Sequence, residues 1–433
     1  MELMVLSLFC GGLLACILLD LSILYALGAG LGMFLLYGKG KGFSRKELAG
    51  MALSGVKTVK NILIAFVLIG MLTALWRDAG TISVIVCYAA RLIRPSIFVL
   101  MTFLLNCLVS VLTGTAFGTA ATMGVICATM AAAMGIAPAL VGGAVLGGAY
   151  FGDRCSPVST SALLVAELTG TSIFANIKNM VRSAFVPLLL TCGVYVVAGF
   201  VFGGAGEVPD LQTVFEREFV LSWVALLPAM VILVLSLMQV NVKKAMAASI
   251  LTALPIAVLV QGTAVGELPR LLLFGYQAAD GEVAAMLNGG GIASMVRVGM
   301  IITISSSYSG IFQKTGLLEG AKQVIYALAQ RTTPYAATLA TAIVASVIAC
   351  NQTLSIMLTH QLCRDTQPEE ERFALTLEDT AVVVAPLVPW SIAGAVPLTT
   401  IGAPMTALLW TCFLYLLPIW QLAVQTVKKR KRK

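Results

Sequence analysis

The chain has 433 residues, 59% hydrophobic and 11% charged, with a formal net charge of +8 and a mean hydropathy of +0.96. Soluble domains carry about 25% charged residues, so this composition excludes a soluble fold and requires an all-α polytopic membrane protein. Six consecutive basic residues, Lys428 to Lys433, close the chain; on so apolar a protein they read as a positive-inside anchor and not as a nucleic-acid tail.

The chain opens MELMVLSLFCGGLLACILLD, with no basic stretch before the apolar run. It is expected to be a retained first span and not a cleaved signal peptide. Apolar windows of spanning length fall near 3–19, 21–37, 59–77, 96–113, 119–136, 138–150, 176–203, 218–239, 243–263, 294–313, 335–350, 380–396 and 402–424. Some are half-spans, so roughly 11 to 13 crossings are expected. Segments 81–92 and 316–331 are shorter and amphipathic, suited to the interface or a shallow position. Basic residues cluster at Lys39, Lys41, Arg45 and Lys46, at Lys243 and Lys244, and in the tail. These loops and both termini are expected on the cytoplasmic side of a plasma (inner) membrane. Asp20 and Asp78 fall near predicted helix ends and read as interfacial. The ten cysteines form no CxxC or Cys/His cluster, and His360 is the one histidine; the cysteines read as small hydrophobes and not as disulfides or metal ligands.

Two stretches repeat one order of features, offset by about 230 residues. The first has Gly70-Met71, an amphipathic segment, Pro95 opening an apolar run, a break at 113–119, and a polar stretch around Asp153 and Pro157. The second has Gly299-Met300, an amphipathic segment, Pro334 opening an apolar run, a break at 350–353, then Glu378-Asp379 and APLVPWS. The chain divides accordingly: an N-terminal hairpin and basic loop (1–57), a first transport repeat (58–203), a connecting region (204–290), a second transport repeat (291–425) and a basic tail (426–433). Paired interruptions in two halves point to a transporter binding site, because backbone exposed at membrane depth is costly unless it lines a cavity or is buried in protein.

Three polar clusters carry the candidate site. In the first, Thr113, Thr115 and Thr119 flank Gly114 and Gly118; hydroxyls and free carbonyls suit a hard cation such as Na⁺, and the alternative is a small-residue packing seam. The second holds Asp153, Arg154, Ser156, Ser159, Thr160 and Ser161. A carboxylate inside an apolar segment is a functional candidate by default, here for Na⁺ or a proton, and the alternative is an ion pair with the adjacent Arg154. Pro157 ends or kinks the helix there. The third joins Asn351, Gln352, Thr353 and Ser355 with Glu378, Asp379 and Trp390. Either the acidic pair ends a polar loop, or one member enters the cavity and titrates. SSSYSG (305–310) reads as packing before it reads as ligand.

The segments GTAFGT (114–119), GGAYFGDRCSPVS (147–159), GGGIASM (289–295), CNQTLSIML (350–358), LEDTAVVVAPLVPWSIAGA (377–395) and IGAP (401–404) resemble, in this order, those of the NhaC-type sodium/proton antiporters of the ion transporter superfamily. The resemblance implies a secondary transporter built of two inverted-topology repeats. Its matching site positions are Thr115, Thr119, Asp153, Ser156, Ser159, Asn351, Gln352, Ser355, Glu378, Asp379 and Trp390. The chain departs from the family pattern where an aspartate is replaced by Thr160 and a final threonine by Ala162. GTSWGT reads GTAFGT here, and His360 stands where a small or apolar residue is expected. Fewer fixed charges weaken the case for plain Na⁺/H⁺ exchange and favour an organic cargo or another coupling ion.

The reading is therefore a secondary antiporter for Na⁺ and/or H⁺, not an enzyme, with Asp153 as principal cation or proton group. Thr115, Thr119, Ser156, Ser159, Thr160, Asn351, Gln352, Thr353 and Ser355 are candidate neutral ligands. An ion-coupled amino-acid or organic-acid exchanger or symporter is the alternative, and a passive channel ranks below both. The expected partners are the lipid bilayer, Na⁺ or H⁺, and under the alternative a small organic acid or amino acid. No cofactor and no nucleic acid is expected beyond a bound Na⁺, and a homodimer is left open. GxSxG and HExxH motifs are absent.

Overall fold

The computed structural model describes residues 2–19, 21–58, 60–90, 95–157, 159–202, 211–238, 240–315, 325, 327–349, 351–367 and 369–431. Asp20, Cys350, residues 203–210, most of the predicted segment 316–331, and Arg432 and Lys433 lie outside these.

The described chain is helical. The N-terminal region forms α1 (Glu2–Leu18), α2 (Ile23–Gly40) and α3 (Arg45–Thr58). In the basic loop, Ser44 and Glu47 make a capping box at the start of α3: the Ser44 N–H donates to Glu47 Oε2 (2.8 Å) and the Glu47 N–H to Ser44 Oγ (3.3 Å). The first half follows as α4 (Lys60–Asp78), α5 (Thr81–Ala90), α6 (Pro95–Thr113), α7 (Ala116–Thr119), a π-helical turn (Ala120–Gly124), α8 (Val125–Ala133), α9 (Pro138–Cys155), α10 (Thr160–Thr169) and α11 (Ile173–Phe202). The connecting region holds α12 (Leu211–Glu216), α13 (Leu227–Leu237), α14 (Val242–Leu259), α15 (Leu268–Phe274) and α16 (Gly281–Leu287). The second half holds α17 (Ile292–Thr315), α18 (Pro334–Ala349), α19 (Gln352–Cys363), α20 (Glu370–Asp379), α21 (Ala381–Val384), α22 (Ile392–Thr400) and α23 (Cys412–Lys431).

Among the described residues, four helices are long and apolar enough to cross a membrane: Ser96–Thr113, Ala116–Ala133, Ile173–Phe202 and Ile292–Phe312. Two bent pairs, Leu63–Asp78 with Thr81–Tyr88 (63°) and Glu370–Leu387 with Ile392–Thr400 (55°), add up to two more. Other predicted windows form shorter apolar helices, among them Trp223–Leu235, Pro334–Ala349 and Cys412–Val427. In segment 81–92, helix α5 packs inside the protein, with Ile82, Ser83, Val84 and Val86 fully buried. Asp78 is likewise buried, its carboxylate accepting from Thr263 Oγ1 (2.9 Å).

The breaks have local causes that pair between the halves. Gly114, at φ +65°, ends α6, and extended Thr115 (φ −153°, ψ 126°) starts α7, its Oγ1 accepting from the Gly118 N–H. Extended Asn351 (φ −148°, ψ 151°) starts α19 in the same way, its Oδ1 accepting from the Leu354 N–H (2.8 Å). Ser159 (φ −70°, ψ 135°) caps α10 and Ser391 (φ −73°, ψ 136°) caps α22. Each of these four breaks is opened by a capping side chain.

The chain does not break throughout the stretch 147–162. Helix α9 runs on through Asp153 to Cys155, and Ser156 turns extended (φ −95°, ψ 132°) because Pro157 cannot continue a helix. Gly114 lies in a break, so Gly114 and Gly118 do not form one helical seam. The close seam is elsewhere, where α9 lies against α6. A Cβ on Gly148 would sit 2.5 Å from the Phe103 carbonyl, and one on Gly152 would sit 2.6 Å from that of Cys107. Gly152→Val is therefore expected to lower stability by about 1–3 kcal/mol or more, read as a lower melting temperature in detergent. Gly32→Ala, where a Cβ meets nothing within 4 Å, should leave the melting temperature unchanged or raised. Similar backbone contact explains SSSYSG: a Cβ on Gly310 would sit 2.0 Å from the Met51 carbonyl of α3, and Ser305, Ser306 and Tyr308 are buried.

Candidate functional site

Asp153 sits in the last turn of α9 and is 5% exposed. The turn at Ser156-Pro157 folds the start of α10 back over it. Ser159 Oγ donates to Asp153 Oδ1 (3.0 Å) and Ser161 Oγ to Oδ2 (2.8 Å), while the two hydroxyls lie 2.8 Å apart. Each carboxylate oxygen thus has one neutral partner. The same Ser159 Oγ accepts from the Ser161 and Ala162 N–H groups, so one side chain both starts α10 and holds the acid. These donors are all oxygens, the set that hard monovalent cations and protons use.

The neighbouring residue points elsewhere. Arg154 does not pair with Asp153, since consecutive residues on a helix do not share a face. It is fully buried and forms an ion pair with Asp379 at the end of α20. Its Nη2 also donates to Ser183 Oγ (2.8 Å), Nη1 to the Met180 carbonyl (3.2 Å) and Nε to the Glu378 carbonyl (3.2 Å). Ser183 donates to Asp379 Oδ1 (3.0 Å). The guanidinium therefore ties α9, α11 and α20 together, and it faces no lipid headgroup.

Glu378 is also fully buried, and neither carboxylate oxygen has a hydrogen-bond partner among the described residues. The acidic pair is not the polar end of a loop. It ends a helix inside the protein, where α20 packs against α10 and α11 and Thr380 (φ −126°, ψ −82°) breaks the helix before α21. Asp153, Glu378 and Asp379 lie within electrostatic reach of one another with a single guanidinium among them, committed to Asp379, so the fully ionised cluster would carry an uncompensated excess of buried negative charge. Each such charge costs several kcal/mol unless paired.

The remaining candidates are spread around this centre. Gln352 Nε2 donates to the Val382 carbonyl (2.9 Å), just past the same break. Asn351 caps α19, and Ser355 Oγ lies 2.7 Å from Ser346 Oγ. The Trp390 indole N–H donates to the Val347 carbonyl (2.9 Å), strapping the second break to α18. Ser156 Oγ donates to the Val111 carbonyl on α6 (2.7 Å). Thr119 is buried, donating to the Thr115 carbonyl (2.9 Å) and lying 3.2 Å from Thr113 Oγ1. Among the described residues no hydrogen bond joins Thr115 or Thr119 to the carboxylate cluster. Thr160 and Thr353 are exposed. Sequence reasoning did not place Ser161 among the ligands or Ser183 anywhere in the site, and it had no signal for the π-helical turn that follows Thr119, where Thr122 donates back to the Gly118 carbonyl (2.8 Å). Such turns recur at functional sites.

The family model described as the Na⁺/H⁺ antiporter family matches residues 4–167 and 148–424. A malate-2H⁺/Na⁺-lactate antiporter of Bacillus subtilis is 27% identical over 389 residues, covering 87% of this chain and 82% of that protein. The Na⁺/H⁺ antiporter NhaC of the same organism is 29% identical over 403 residues, covering 90% and 88%. The arginine/ornithine antiporter ArcD of Halobacterium salinarum is 27% identical over 387 residues, covering 86% and 79%. The match spans the helix breaks and the three buried carboxylates, and the chain belongs to the NhaC-type Na⁺/H⁺ antiporter family.

Proposed function

We propose that this protein exchanges Na⁺ or a related monovalent cation for H⁺ across the plasma (inner) membrane, with Asp153 carrying the cation. The observation that carries this reading is the Asp153 carboxylate at a helix break, buried and met among the described residues by the hydroxyls of Ser159 and Ser161. A group so placed can exchange its hydroxyl partners for an ion without leaving any of them buried and unpaired. Under this proposal the halves 58–203 and 291–425 are inverted-topology repeats. Their capped breaks meet near the membrane midplane, and one moves against the other for alternating access. Both termini lie on the cytoplasmic side, by the basic residues at 39–46 and 428–433.

A second reading is favoured by Thr160. The resemblance expects an acid there, and this residue is exposed and uncharged. With that charge gone, the site suits a cation- or proton-coupled exchange of small organic acids or amino acids, as in the malate/lactate and arginine/ornithine antiporters among its relatives. Purified protein in sealed liposomes with an internal pH dye tests both. Imposed Na⁺, Li⁺ or K⁺ gradients are expected to move protons. If no cation does so, while labelled malate, lactate or arginine accumulates by exchange, the second reading replaces the first.

A further inference from the structure

We propose that the two halves of the exchange are divided between two carboxylates: Asp153 takes the cation and Glu378 takes the proton. This rests on the antiport reading above.

The two acids have different surroundings. Asp153 has a hydroxyl on each oxygen, a partial coordination shell for a cation. Glu378 is fully buried, and neither oxygen has a partner among the described residues. A cation there would find no second ligand. A proton needs neither ligands nor volume, and it removes the cost of burying a bare charge. Asp379 is excluded as the carrier because Arg154 and Ser183 already hold it.

The charged and titratable groups around Glu378 support the division. Helix α9 brings Asp153, Arg154 and Cys155 within electrostatic reach, and Asp379 follows on α20. Tyr335 of α18 donates to the Asp379 carbonyl (3.2 Å). On the packed helices α10 and α11, Glu167, Lys178 and Arg182 are exposed, and His360 lies at the far end of α19, stacked on Phe373. Arg154 is committed to Asp379 and offers Glu378 only contact with its backbone carbonyl. With one cation on Asp153 or one proton on Glu378, the cluster keeps one negative charge. With neither it carries two, and with both it carries none. Because the two sites share one low-dielectric enclosure, charge on one opposes or favours occupancy of the other, and the linkage is reciprocal. A cation arriving at Asp153 promotes proton departure from Glu378, which is antiport.

The test uses the full chain in liposomes with an internal pH dye, with Na⁺ as probe. In Glu378→Gln, equilibrium exchange of labelled Na⁺ for Na⁺ should persist at saturating Na⁺, with half-saturation shifted to higher Na⁺ because the neutral amide stands in for the protonated acid. Na⁺-driven proton movement should fall roughly 100-fold, the scale on which a positioned proton-transfer group counts. In detergent, adding Na⁺ should release protons from wild type and none from Glu378→Gln, although Na⁺ still raises its melting temperature. Glu378→Asp should restore part of the proton movement with a shifted pH profile. Wild-type proton movement in Glu378→Gln overturns the assignment, and so does loss of Na⁺/Na⁺ exchange at saturating Na⁺ in a folded Glu378→Gln. If Glu378→Gln does not fold, an unshifted pH profile in Glu378→Asp overturns it. A wild type that moves no protons under any cation gradient sinks the antiport reading itself, an outcome distinct from wild-type coupling that survives in Glu378→Gln.

Discussion

Asp153→Asn is expected to abolish cation-driven proton movement in liposomes while the protein folds and melts as wild type does. The amide is close in shape to the carboxylate. Its oxygen can accept from one of Ser159 and Ser161, and its NH₂ can donate to the other, because a hydroxyl both donates and accepts. The hydrogen bonds that fold α10 over α9 therefore survive. The fixed charge does not. A carboxylate and a monovalent cation about 4 Å apart at an effective dielectric of 20 attract by ~4 kcal/mol, and each 1.4 kcal/mol is a factor of ten in binding. The expected loss is therefore up to about 700-fold. The check is the dye signal under a Na⁺ gradient beside a melting curve. Full coupling in a folded Asp153→Asn would remove Asp153 from the transport cycle.

Arg154→Ala is expected to have the opposite profile, a loss of fold before a loss of function. Removing the guanidinium strands Asp379 in a buried site and frees the carbonyls of Met180 and Glu378 from their donor. Breaking one side of a buried ion pair costs ~3–5 kcal/mol. The measurement is thermal unfolding in detergent, with yield from the membrane as a second index. Arg154→Lys should rescue only part, because a single ammonium cannot span the four partners that the planar fork reaches. The double variant Arg154→Ala/Asp379→Ala should be less destabilised than the sum of its singles, because no charge is left unpaired. If Arg154→Ala melts with wild type, the pair is not what holds α9, α11 and α20 together. These two variants separate the charge that transports from the charge that builds.

Much of this was legible in the residues. The composition required a helical membrane protein, and prolines, glycines and small polar residues marked the breaks. Gly114-Thr115, Ser156-Pro157, Asn351 and Ser391 all proved to be places where a helix stops and a capping side chain begins the next, since those residue types carry that behaviour locally. Asp153, Glu378 and Asp379 could be singled out because carboxylates are costly in such surroundings wherever they finally lie.

What each carboxylate does could not be read in the same way. Asp153 and Arg154 are adjacent in sequence and look like a pair, yet the helical turn sends them to different faces, and Arg154 finds Asp379 across 225 positions. Glu378 and Asp379 are adjacent and chemically alike, yet one is held by Arg154 and Ser183 and the other by no hydrogen-bond partner among the described residues. Thr160 and Ser161 are adjacent hydroxyls, and only Ser161 turns toward Asp153. Residue type and local pattern determined that this protein is helical, membrane-embedded and interrupted at polar breaks, because those depend on solvation and on a few neighbouring residues. Only the tertiary structure decided which buried acid is neutralised, which is cradled and which is left bare, because pairing is set by the packing of α9, α10, α11 and α20.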